Sequence, residues 1–216
     1  MSRSVPKEIR EFRRQQRETL NKLARSEFRE GLKPESWLLE GRFLQQAAEV
    51  LWSASDQDYR EFISRSEQVQ RTSPGGGSVE TKDLKNLEVF RVYMLVAGLA
   101  IENMIKAIIV KNDPSLIERD KLDGKLDSHD LPGLFREAKV RMSPDEESYL
   151  KLLSGHVVWA GRYPVSKTWE DMVLWEGGKP GGTPRKPVLR DEPNHYHELF
   201  LQIRKRLSDQ LLGATK

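Results

Sequence analysis

The chain contains no cysteine. Disulfides, thiolate metal sites and thiol nucleophiles are therefore excluded from any account of it. No stretch alternates apolar and polar residues as a half-buried strand would, and no internal repeat is visible. The first thirty or so residues are charged throughout and hold no apolar signal core, so the expected compartment is the cytoplasm. The glycine-rich stretch Thr72 to Ser78 follows no strand and lacks the Lys-Ser/Thr of a phosphate-binding loop, so it reads as a surface loop. Long apolar runs are scarce as well. There is one, from Val92 to Val110.

That run organises everything else. Only Glu102, Asn103 and Lys106 interrupt it. A helix apolar all round is either a membrane span or the central rod of a soluble bundle. The rod is the better reading, because a mid-segment charge pair is costly in lipid. Glu102 and Lys106 stand at i and i+4, where they can pair on one face and fix helix register. Ala97, Gly98 and Ala100 leave room for a neighbouring helix. Pro114 ends the rod and pushes Asp113 out of the helical region.

The remaining composition suits a soluble helical domain. Of the 216 residues, 37% are hydrophobic and 32% charged, enough apolar mass for one moderate core. The net charge of +3 is mild, but it is unevenly spread. Lys179, Arg185, Lys186 and Arg190 form an acid-free basic stretch, a candidate surface for phosphate backbones.

In chain order, residues 6 to 31 predict a charged helical arm. Its sparse stripe of Ile9, Phe12, Leu20, Leu23 and Phe28 suits packing on a surface or a partner. Ser36 is the expected N-cap of a second helix running through Trp52, with residues 56 to 69 either continuing it or forming a separate helix. Asp130 or Ser128 caps a short helix through Leu134 and Phe135. Ser143, Pro144 and Glu146 make a capping box for the next. Asn194 caps a last amphipathic helix with Leu199, Phe200, Ile203 and Leu207 on its apolar side. The expected architecture is all-α: an up-and-down bundle of five to six helices over residues 36 to 212, plus the extra N-terminal helix over residues 1 to 31.

Three pieces in this order carry a resemblance. They are Ala100-x-Glu102-x3-Lys106-Ala107 in the rod, Ser128-His129-Asp130-Leu131 followed by Leu134, and Trp159-Ala160-Gly161-Arg162-Tyr163-Pro164 at a helix end. Together they resemble the HEPN superfamily of helical bundles, found in prokaryotic toxin–antitoxin and defence systems. Many members of that superfamily are metal-independent RNases with an Arg-x4–6-His motif, two copies of which meet across a homodimer. Arg190 to His195 fits that spacing, with polar Asp191 after the arginine. The resemblance thus implies Arg190 and His195 as catalytic residues, Lys179, Arg185 and Lys186 as RNA-steering residues, and RNA, a second copy and a cognate antitoxin or partner protein as partners. It implies no cofactor and no metal.

Pro193 inside the motif departs from the family pattern, and Arg162 competes for the arginine position. A non-catalytic HEPN module binding a nucleotide, nucleic acid or partner protein is therefore the second expectation. Arg162 and Tyr163 otherwise anchor a helix end, with a ligand role as the alternative. His195 and His197 stand at i and i+2, which face apart on a helix and make a poor metal pair. His129 is expected in a helix-cap turn, and His156 in the core or at an interface.

Overall fold

The computed structural model describes residues 7–73, 77–117, 121–160, 174–175, 184–185 and 195–213. Six α-helices account for most of them: α1 (Lys7–Gly31), α2 (Pro34–Thr72), α3 (Leu87–Asn112), α4 (Leu131–Glu137), α5 (Pro144–Gly155) and α6 (His195–Leu212). A 3-10 turn spans Pro114–Ile117, and a π-helical turn, His156–Ala160, extends α5. The chain is an all-α helical bundle.

α3 is the rod. Fourteen of its residues are buried, ten of them in an almost unbroken run from Ala100 to Val110. By length and composition it could cross a membrane, with a hydropathy of 1.7 over its most apolar window, but 72% of that window is buried inside the bundle. Burying residues such as Ile101, Met104, Ile105 and Ile108 contributes about 1.5–3 kcal/mol each. Asp113 caps the rod in an extended conformation (φ −137°, ψ 82°), as Pro114 requires.

Two glycines set how closely the neighbours approach. A Cβ on Gly98 would lie 2.7 Å from Val157 Cγ2 and 3.3 Å from the Leu153 carbonyl oxygen, so α5 and the π turn pack against the rod there. A Cβ on Gly41 would lie 3.2 Å from the Ala100 carbonyl oxygen, so α2 packs against the opposite side. Ala48, Trp52, Tyr59 and Ile63 continue the buried face of α2.

α2 differs from expectation at its start. Lys33 is the N-cap and Pro34 the first helical residue, whereas the Ser36 hydroxyl donates to the Glu30 carbonyl of α1 at 2.8 Å. Proline's fixed φ begins the helix earlier than the serine would. Residues 56 to 69 continue α2 without a break.

The capping box forms as expected. Glu146 N donates to Ser143 Oγ (3.2 Å) and Ser143 N to Glu146 Oε2 (2.8 Å). The same carboxylate also holds Arg206 of α6 at 2.9 Å, tying two helices together.

Against the expectation of no strand, Leu174–Trp175 (β1) and Pro184–Arg185 (β2) pair antiparallel, Leu174 opposite Arg185 and Trp175 opposite Pro184. A two-residue ladder is too short for alternation to show in the sequence.

Among the described residues, α1 meets the body at its C-terminal end. Leu32 is buried, and Trp37 Nε1 donates to its carbonyl at 3.0 Å. Along the rest of the helix, Ile9, Phe12, Leu20, Leu23 and Phe28 are exposed.

Candidate functional site

α6 forms where Leu199, Phe200, Ile203 and Leu207 recur on one face, and all four are buried. Its first turn carries three aromatic or imidazole side chains in a row, and the bundle treats each differently. His195, the first residue, is half-buried. Its ring lies 6.2 Å from that of Tyr196 and makes no hydrogen bond to a described residue. Tyr196 stacks on Tyr149 of α5 at 5.6 Å.

His197 turns inward. It stacks on Trp52 at 4.7 Å with the rings 3° from parallel, and its Nδ1 lies 3.2 Å from the Tyr93 hydroxyl. Burial is the main cause that lowers its pKa below the usual 6.5, so it is neutral at physiological pH.

Below the turn lies an aromatic floor. Phe90 stacks on Tyr59 at 3.8 Å, and the Trp52 and Tyr93 rings are 5.3 Å apart. Burial raises the Tyr149 hydroxyl well above its usual 10, so it is neutral and able to donate. On the π turn, burial and then the nearby Arg91 charge bring His156 down to about 4. Its Nδ1 is buried with no hydrogen-bond partner among the described residues.

The motif implied by the resemblance is therefore seen from one end. His195 opens α6, where the sequence put the start of that helix. Arg190, its expected cap Asn194, Lys179, Lys186, Arg162 and Tyr163 lie outside the described residues. The backbone of Arg185 belongs to β2. Of the chain's four histidines, His197 is the one sequence reasoning undervalued. Its contacts to Trp52 and Tyr93 are too distant in sequence to be heard locally.

A second polar constellation sits at the middle of α3. Lys106 Nζ is 2.6 Å from Glu102 Oε1, and each residue is only 4% exposed. The pair expected from the i, i+4 spacing is thus a buried one. It also has partners that the spacing did not announce. His129 Nδ1 lies 3.0 and 3.1 Å from the two Glu102 oxygens, and Lys106 Nζ stands 5.5 Å over the Trp37 ring.

In the Ser-His-Asp-Leu stretch the cap is Asp130, whose N–H donates to Ser128 Oγ at 3.1 Å, and the histidine between them reaches the rod instead. A carboxylate only accepts, so His129 presents Nδ1–H to it. The cluster joins the turn before α4 to α3 through the Glu102 carboxylate, and α2 to α3 through Lys106 over Trp37. The His129 ring is the exposed member of the cluster. Among the described residues, no group of three or more His, Asp or Glu side chains is arranged to hold a metal ion.

No family model matches the chain, and no curated protein or solved structure matches it.

Proposed function

We propose that this chain is a HEPN-like, metal-independent endoribonuclease of the cytoplasm, acting as a toxin or defence effector in a homodimer. Arg190 and His195 of each subunit carry the reaction. His195 takes the proton of a ribose 2′-OH, and the 2′ oxygen attacks the adjacent phosphorus. Arg190 balances the charge that gathers on the phosphate oxygens. The bond to the 5′ oxygen breaks and that oxygen takes a proton from water, leaving a 2′,3′-cyclic phosphate and a 5′-hydroxyl, while His195 returns its proton to solvent. Lys179, Arg185 and Lys186 draw RNA to the site.

One observation carries the reading. His129 is bound to Glu102, His156 is held neutral by burial, and His197 is stacked on Trp52 and bonded to Tyr93. His195 alone combines a half-exposed ring with no hydrogen bond to a described residue, and it stands at a helix N-terminus, whose dipole favours phosphate.

The test is total RNA incubated in EDTA with wild type and His195→Ala. Wild type is expected to leave cyclic-phosphate ends, and the variant to lose roughly 10²–10⁴-fold in rate. Equal fragmentation by both, or none by either, removes the enzyme reading.

The second reading is a non-catalytic HEPN module that binds a nucleotide, nucleic acid or a partner protein such as a cognate antitoxin. The β1–β2 pairing favours it, because it sets the backbone of Arg185 opposite Leu174 in a fixed register. Salt-sensitive RNA binding without turnover, lost on Arg185→Ala with Lys186→Ala, would support it.

A further inference from the structure

Two apolar stripes on this chain are left uncovered, and they match each other. On α1, Ile9, Phe12, Leu20 and Leu23 follow three- and four-residue steps with Gln16 between them, and Leu20 is 64% exposed. On α2, Leu39, Phe43 and Val50 follow the same kind of steps through Gln46, and Val50 is 70% exposed. Such spacing makes a seam that another helix can fill.

The charges are complementary. α1 carries eight basic against five acidic side chains, a net of +3, and α2 carries seven acidic against four basic, a net of −3. Arg13 and Arg17 run beside the α1 stripe, Glu35 and Glu40 beside the start of the α2 stripe. None of these four is in an ion pair among the described residues.

The arm is held away from its own α2. The two-residue link between the helices is a bonded elbow: Leu32 N donates to the Phe28 carbonyl, Ser36 Oγ to the Glu30 carbonyl and Trp37 Nε1 to the Leu32 carbonyl. Leu32 is buried, and the Trp37 ring is pinned beneath Lys106. Folding α1 back along α2 would break these bonds. A second copy needs no such change, because one two-fold axis lets each arm cover the other's α2 stripe and leaves neither face bare.

We infer that the chain forms a reciprocal arm-exchanged dimer, with α1 of one copy laid on the Leu39–Phe43–Val50 face of α2 of the other. The occupant is a second copy of this chain. The proposal does not depend on RNA cleavage, and its readout is mass.

The test is light scattering on the full chain, wild type against Leu20→Glu and Val50→Glu. Both positions are exposed, so each variant keeps its helical signal as a folded monomer. Wild type is expected at twice the chain mass, and each variant to weaken self-association by roughly thirtyfold or more. Mixing the two variants restores one intact arm–face contact and recovers dimer that neither forms alone. Arg13→Glu with Arg17→Glu weakens the dimer, and adding Glu35→Arg with Glu40→Arg to the same chain restores it.

A monomeric wild type overturns the inference. So does a dimer insensitive to both substitutions. Loss with Leu20→Glu but not with Val50→Glu would mean that arm pairs with arm, and would overturn it too.

Discussion

α1 and α3 are nearly the same length, 25 and 26 residues, and have opposite relations to the rest of the chain. α3 is apolar through its middle and keeps its two mid-helix charges, Glu102 and Lys106, buried and paired. α1 is charged on most sides and leaves its few apolar residues bare. Helix formation alone does not distinguish them. What differs is what each packs against: α3 is surrounded by its own chain, whereas the apolar stripe of α1 is exposed.

The largest break in this contrast is expected at the buried pair. Lys106→Met leaves the Glu102 carboxylate buried with only His129 beside it, and should cost about 3–5 kcal/mol in denaturant unfolding. Glu102→Leu together with Lys106→Met should recover most of that loss. No ion pair on α1 should cost more than about 1 kcal/mol, because its charges are solvated.

Acid is the next lever. His156 has a folded-state pKa of about 4 against 6.5 in the unfolded chain, so the unfolded state binds more protons between those values. Its contribution is fully present above pH 6.5 and is lost as pH falls through about 4. It is worth up to about 3 kcal/mol. His197, lowered for the same main reason, adds to the same slope. His156→Gln should flatten the loss of stability between pH 6.5 and 4. α1 contains no histidine and should add nothing to that slope.

One substitution should change sign between the two helices. Gly98→Ala drives a Cβ into Val157 and the Leu153 carbonyl, and should cost about 1–3 kcal/mol. Gly31→Ala meets nothing within 4 Å and should stabilise by about 0.5–1 kcal/mol. Thermal melts of the two variants decide it. A small effect is also expected at the α5 cap, where Ser143→Ala removes one half of the capping box and should cost about 1 kcal/mol.

What could be read from the sequence was local. The extent of the rod followed from unbroken apolarity closed by Pro114. The α5 capping box followed from three residues in a row, and the bare stripe of α1 from its sparseness. The Glu102–Lys106 pair was visible because helix geometry alone brings i and i+4 together.

The partners that complete each site were not visible. His129 reaches Glu102 across 27 residues, and His197 reaches Tyr93 across 104. No periodicity encodes which turn lands on which helix. The start of α2 was misplaced because two good signals, Ser36 as cap and Pro34 at the first position, competed within three residues. For the Arg190-x4-His195 motif, the described residues include the histidine and not the arginine.

The 104-residue separation between Tyr93 and His197 also has a consequence in time. α2 and α3 are neighbours in the chain and can pair as soon as both exist. α6 must return across the whole of the intervening sequence, a closure whose entropy slows folding. Until it arrives, the rod is covered on the α2 side and bare where Phe200, Ile203 and Leu207 will sit. During synthesis the bundle therefore passes through an interval in which its most apolar helix is half clothed, and the speed of α6 docking sets how long that interval lasts.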